Sequence, residues 1–232
     1  VYVIILLSAG ILSGLFWLLG LTQCRADWGS VWLNSLDGLN RLFCRYYHGL
    51  KHNHAGFDDP GPAIVVANHI SGLDPLLMIA ACHRPLRFMI ARDQYERFGL
   101  QWLFRRIGCI PVDRDSRPQQ AFREAIRALK RGDVVALFAQ GGFQVDAEQF
   151  GKLKGGSVRL ARLTQAPIYP MHIQGIHPWS RGSVILAVLI PSRVQMHCYA
   201  AMRCTDGDDN RCLQQIKGKI LPDFTGGPGY PT

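Results

Sequence analysis

The sequence predicts an α/β fold: a single domain with a mostly parallel central sheet flanked by helices, preceded by an N-terminal membrane helix. Three observations lead there. Strand-length apolar runs alternate with stretches of helical periodicity from residue 63 to residue 221. The first 22 residues carry no charge. The 232 residues suffice for one sizeable core, and no internal repeat divides them. The expected organisation is a transmembrane or membrane-embedded helix over 1–24, an interfacial amphipathic helix over 25–51, a globular domain over 52–222 and a flexible tail over 223–232.

The leading segment, VYVIILLSAGILSGLFWLLGL, has about the ~20 apolar residues that a helix needs to cross a bilayer core. Gly10, Gly14 and Gly20 weaken a soluble helix but are common in membrane ones. Neither a basic start nor a clear cleavage site marks a signal peptide. Arg25, Arg41, Arg45 and Lys51 follow, which predicts a cytoplasmic flank on a single-pass or monotopic protein. Residues 28–47 read as an amphipathic helix with Trp28, Val31, Trp32, Leu36, Leu39, Leu42 and Phe43 on one side. That side fits either the head-group layer or the domain surface.

The globular part follows in order. Residues 52–62 read as a loop. Strands are expected at 63–68, 86–91, 109–112, 133–139 and 166–173. Helices are expected at 75–82, 95–107, 119–130, 156–164 and 208–221, the third with Phe122, Ile126 and Leu129 on one face. Two further strands, 183–190 and 193–200, read as an edge hairpin around Pro191 and Ser192.

Lys and Arg outnumber Asp and Glu by 26 to 17, giving a net charge of +9. Such a surface suits anionic partners such as acidic lipid head groups or phosphorylated substrates. No nucleic-acid-binding signature accompanies the charge, so no nucleic-acid partner is expected. The seven cysteines include no C-x-x-C pair and read as reduced thiols. No metal site is expected: His48, His52 and His54, near Asp58 and Asp59, read as exposed loop histidines.

The strongest local signal is NHISGLDP, residues 68–75, between a buried strand and a helix. Asp74 fits the helix N-cap and Pro75 the first helical position. The turn can also fold back so that the Asp74 carboxylate reaches the His69 ring, fixing its tautomer and raising the basicity of the other nitrogen. By spacing alone the two readings stay open.

Three further blocks accompany this one. GCIPVDR at 108–114 is a glycine, an apolar strand and the basic Arg114. FAQGGF at 138–143 follows a strand, and KLKGGS comes after it at 152–157. APIYP at 166–170 is a proline-bearing strand. In order and spacing these blocks resemble the lysophosphatidic acid and glycerolipid acyltransferase family, whose first block is a His, four residues and an Asp. The resemblance covers residues 60–175.

The resemblance implies an acyltransferase domain that moves a fatty acyl group from acyl-CoA or acyl carrier protein to a lysophospholipid hydroxyl, in phospholipid biosynthesis at a membrane. It implies no cofactor beyond the acyl-donor substrate. His69 would be general base and Asp74 its orienting carboxylate, while Arg114, Gln140, Gly141, Gly142 and Lys154 would line the acceptor site. The third block departs from the usual Phe-Pro-Glu-Gly-Thr, having Ala139, Gln140 and Gly142. Gln140 keeps the shape of glutamate without its charge. An acceptor without phosphate, such as a lyso-aminolipid, or a weakly active or non-catalytic lipid-binding relative, therefore stays open. A hydrolase acting through His69 is disfavoured, because no G-x-S-x-G nucleophile element is present.

Overall fold

Among the residues that a computed structural model describes (2–97, 99–113, 118–139, 155–177, 184–204 and 209–221), seven strands form one sheet in the order β1-β7-β6-β2-β5-β3-β4. The strands are β1 (Lys51–His52), β2 (Ala63–Ala67), β3 (Leu86–Ala91), β4 (Ile110–Val112), β5 (Val134–Phe138), β6 (Ile168–Gln174) and β7 (Gln195–Cys198). Every neighbouring pair is parallel except β6 and β7. All five residues of β2 are buried, as a central strand covered on both faces requires. Its register runs from Ala63 opposite Val134 to Ala67 opposite Phe138. Parallel neighbours end at one edge, so β2, β5, β3 and β4 deliver their C-termini together.

Helices cover both faces. Ala63, Val65 and Ala67 pack in the cluster with α3 (Asp74–Ala81), through Leu77 and Met78. Ile64 and Val66 face α6 (Pro118–Lys130), α7 (Gly156–Thr164) and α9 (Asp209–Ile220). On α6 the closest residues are the alanines 121, 125 and 128 with Leu129, while Phe122 and Ile126 are only half-buried. Small side chains let the helix approach the sheet. The stretch 95–107, expected as one helix, is broken into α4 (Arg92–Tyr95) and α5 (Gln101–Arg106). Gly99 between them sits at φ +80°, a conformation that ends a helix.

Three expectations are corrected here. Residues 183–190 do not form a hairpin strand: α8 (Val184–Leu189) lies there, and β7 pairs with β6 and β1 instead. A short uncharged apolar run fits helix and strand equally, and periodicity could not separate them. Cys204 and Cys212 are disulfide-bonded rather than reduced. The segment before Cys204 bridges to Ile168, and α9 docks on β6 through the Ile220 carbonyl at 2.9 Å from His172 Nδ1, so the fold brings together two cysteines that no sequence motif pairs.

The third correction concerns the N-terminus. Helix α1 (Tyr2–Gln23) forms, but among the described residues no helix is long and apolar enough to cross a membrane. Its C-terminal end is crossed by α2 (Val31–Leu42) at Gly20 and Gly38, where a Cβ on Gly38 would run into the Gly20 carbonyl. Ser35 Oγ donates to the Trp17 carbonyl at 2.9 Å. Helix α2 buries Ser35, Asp37 and Gly38 together with Leu33, whereas Val31 and Trp32 are exposed. Asp37 accepts from the Arg25 and Ala26 amides and pairs with Arg41 Nε at 2.7 Å. Arg41 donates onward to the Ala80 carbonyl at 2.8 Å and to the Cys82 carbonyl, at the C-terminal end of α3. Arg41 is thus an internal brace and leaves the basic flank to Arg25, Arg45 and Lys51.

A π-helical turn, Phe43–Tyr47, ends this region and buries His48 edge-on against Phe43 and Tyr47. Among the described residues neither ring nitrogen of His48 has a hydrogen-bond partner, and burial lowers its pKa. The unfolded chain therefore binds the proton more readily, and stability present above the ordinary histidine pKa is lost as pH falls through the lower folded value. Urea midpoints measured from pH 7.5 downward should begin to fall below about pH 6.5, and His48→Phe should flatten that loss. Gly38→Ala should cost about 1–3 kcal/mol in the same unfolding assay, with the far-UV spectrum retained.

Candidate active site

The site begins where β2 ends. Asn68, the next residue, is buried, and its side-chain amide closes a two-bond bridge to β6: Nδ2 donates to the Ile173 carbonyl and Oδ1 accepts the Ile173 amide, each at 2.8 Å. The bridge continues the sheet past its last ladder pair and fixes where the chain turns out.

The turn is built around one carboxylate oxygen. Asp74 is fully buried, and its Oδ2 accepts the Ile70 amide at 2.6 Å, the Ser71 amide at 2.9 Å and His69 Nδ1 at 2.8 Å. Asp74 is not the N-cap of α3: the helix starts at Asp74 itself, behind Leu73, and the carboxylate serves the preceding turn. Ser71 is a turn residue whose Oγ accepts the Leu73 amide at 3.1 Å. Both alternatives for residues 68–75 are thereby decided in favour of the His–Asp pair. An ionised carboxylate can only accept, so Nδ1 of His69 carries the proton and Nε2 holds the lone pair.

The His69 ring is further fixed by stacking on Phe138, with centroids 3.9 Å apart and planes 10° from parallel. Phe138 is the last residue of β5, so the strand carrying the third block supplies a wall of the site. The His69 side chain is 13% exposed against 0% for Asp74. The imidazole keeps some exposed surface, while the carboxylate has none. Burial also pushes the thiols of Cys44, Cys109 and Cys198 up to about 12, leaving them unreactive at neutral pH.

Strand β4 ends at Val112, on the same sheet edge, two residues before Arg114. Arg114, Gln140, Gly141, Gly142 and Lys154 themselves lie outside the described residues. Two surface hollows among the described residues, one at Arg97 and Trp102 and one at Arg84 and Arg106, are lined by neither His69 nor Asp74. Sequence reasoning missed the ring of Phe138 as a partner of His69, and the clamp made by Asn68. The Asn and Phe at these positions were visible in their blocks, but their contacts run between strands.

Fold and site define an α/β protein with a histidine held by a buried carboxylate at the C-terminal edge of its sheet, and its sequence has no G-x-S-x-G serine elbow. The chain belongs to the Acyltransferase family, whose profile matches residues 47–174, more than half of it. It is 33% identical over 121 residues to a probable 1-acyl-sn-glycerol-3-phosphate acyltransferase of Mycoplasma genitalium, covering 49% of this chain and 44% of that protein. The corresponding protein of Mycoplasma pneumoniae is 32% identical over 119 residues, covering 48% and 44%. The chain thus matches less than half the length of these relatives. In fold it is similar to the 1-acyl-sn-glycerophosphate acyltransferase PlsC of Thermotoga maritima, with a TM-score of 0.63 and 20% identity over 90% of this chain and 86% of that one.

Asn68→Ala would leave the buried amide and carbonyl of Ile173 unpaired. Thermal or urea unfolding should show a loss of about 2–4 kcal/mol, larger than any effect of the exposed-surface change Gln174→Ala.

Proposed function

We propose that this protein transfers a fatty acyl group from a thioester to the hydroxyl of a lysophospholipid such as 1-acyl-sn-glycerol 3-phosphate, with His69 as general base. The observation that carries the reading is the 2.8 Å contact between His69 Nδ1 and Asp74 Oδ2, in a ring held against Phe138. Membership of the family and the names of the Mycoplasma relatives support it.

In this mechanism Nε2 of His69 takes the proton as the acceptor oxygen attacks the thioester carbonyl. Asp74 stabilises the resulting imidazolium. Collapse of the tetrahedral intermediate breaks the C–S bond, and the thiolate leaves with the proton that His69 returns. The thiol belongs to coenzyme A or acyl carrier protein. Arg114 holds the acceptor phosphate by charge-assisted hydrogen bonds, with Lys154 adding charge. Gly141 and Gly142 let the backbone approach the substrate, and Gln140 hydrogen-bonds it. Such a reaction belongs to phospholipid biosynthesis.

The acceptor and product are membrane lipids, and we place the protein on the membrane surface. Ile11, Leu12, Leu15, Phe16, Val31 and Trp32 are all exposed, and Trp32 packs on Trp102 with centroids 5.2 Å apart. An apolar surface of this kind suits the head-group and acyl boundary of one leaflet. The basic Arg25, Arg45 and Lys51 suit the cytoplasmic leaflet.

One observation favours a second acceptor class. Gln140 and Gly142 stand where the family has Glu and Thr, so phosphate recognition differs and a lyso-aminolipid is the alternative substrate.

Thioester assays with radiolabelled acyl donor test both. Acyl transfer to lysophosphatidic acid supports the first acceptor, and transfer only to a phosphate-free lysolipid supports the second. Release of free fatty acid alone, or no turnover with either acceptor, overturns the transferase reading. His69→Ala should lower the rate by about 10²–10⁴-fold without loss of lipid-vesicle binding.

A further inference from the structure

The loop histidines do not all lie free on the surface. His54 Nε2 is 3.0 Å from one carboxylate oxygen of Asp58, and His83 Nδ1 is 3.5 Å from the other. One ligand atom from each residue fits within 4.8 Å of the other two. The two imidazole rings approach with centroids 5.5 Å apart. His54 and Asp58 share the loop between β1 and β2, and His83 follows α3.

We propose that His54, Asp58 and His83 bind a divalent transition-metal ion, zinc by preference, that staples the β1–β2 loop to the end of α3. A tetrahedral ion with bonds of about 2.0 Å sets its ligand atoms about 3.3 Å apart. The 3.0 Å between His54 Nε2 and one Asp58 oxygen is close to such an edge, and His83 Nδ1 lies 3.5 Å from the other oxygen. The remaining separations, within 4.8 Å for one atom of each residue, close by rotation of the half-exposed His54 and Asp58 side chains. Two imidazoles and a carboxylate select zinc over magnesium or calcium, which take oxygen ligands. Water completes the shell.

The backbone is already braced for this. Arg84, next to His83, donates to the carbonyls of Phe57 at 3.4 Å and Asp59 at 2.8 Å, on either side of Asp58. Its other nitrogen donates to the Gly61 carbonyl at 2.8 Å and the Gly132 carbonyl at 2.6 Å. One guanidinium therefore fixes the two segments that supply the ligands relative to each other. A pair of solvated ion pairs has no need of such a support, whereas a preorganised site does. The cluster precedes β2 and β3, while His69 follows β2, so it lies at the opposite sheet edge from the dyad and its role is structural.

Zinc chloride titrated into chelator-stripped full-length protein, followed by calorimetry, should show one ion per chain and a raised thermal midpoint. Zinc-edge absorption should report nitrogen and oxygen ligands without sulfur. His54→Gln, Asp58→Asn and His83→Gln should each weaken binding at least about tenfold, and His52→Gln should not. Melting without zinc shows whether each variant is folded, and His54→Gln, at an exposed side chain, is the variant least able to disturb the fold. Zinc binding unchanged in the triple variant, sulfur in the coordination shell, or no binding by the wild type below millimolar zinc would each overturn the proposal.

Discussion

One buried oxygen atom organises the reactive end of this molecule. Asp74 Oδ2 accepts two backbone amides and one imidazole N–H, all within 2.9 Å. A carboxylate taken out of water is costly unless such donors replace the solvent. Here the donors come from Ile70, Ser71 and His69, so satisfying the charge also dictates the path of the turn and the orientation of the ring. The oxygen Oδ1 has no hydrogen-bond partner among the described residues. The whole demand therefore falls on one side of the carboxylate, the side that faces the histidine. The turn cannot be loosened without exposing the charge, and the charge cannot be removed without releasing the turn.

The position of this carboxylate is set from both ends of α3. At the N-terminal end the strand β2 and the Asn68 bridge deliver the chain into the turn. At the C-terminal end Arg41 satisfies the carbonyls of Ala80 and Cys82, two of the acceptors that a helix end leaves open. Asn40 donates to the Leu76 carbonyl at 2.9 Å, between the two ends. Arg41 is itself held by the buried Asp37, which in turn binds the segment that joins α1 to α2. A chain of charged and polar contacts thus runs from the N-terminal helices to the residue that orients His69.

Much of the sheet was legible because its central strands are short, apolar and bounded by turn residues. Residues 63–67, 86–91 and 134–138 fall inside the segments read from sequence; in 63–67, burial on both faces imposes a continuous apolar run. The errors lie where the local pattern is silent. Residues 184–189 have no polar residue to reveal a period. The strand Lys51–His52 is a two-residue edge pairing whose partner is Gln195–Met196, far away in sequence. The amphipathic reading of α2 found the apolar stripe and left it between the head-group layer and the domain surface, without the polar contacts that hold the helix. The inward face carries Ser35, Asp37, Gly38 and Arg41 beside Leu33, because small and hydrogen-bonding groups permit close contact with α1 and α3. At the site, the His-x4-Asp spacing was readable because its contact is local. The stacking of Phe138 on His69 and the reach of Asn68 to Ile173 join residues 69 and 105 positions apart, and no sequence window contains them.

That inversion of α2 bears on how a lipid-modifying site could be arranged. A helix that docked by its apolar stripe would hide Val31 and Trp32 and show its charges to solvent. By docking through Asp37, Asn40 and Arg41 as well as Leu33, α2 spends its polar groups on the protein and leaves Val31 and Trp32 outside, exposed as Ile11, Leu15 and Phe16 of α1 are. The polar contacts are directional, so they fix this apolar surface in one orientation relative to α3. An imidazole at the other end of α3 then stands at a set distance from whatever layer the apolar surface enters. For an acceptor whose tail remains in that layer, only a hydroxyl at the matching height can meet His69. In the proposed reaction, selection of the acceptor therefore begins with the geometry of the helix contacts, before any head-group residue is engaged.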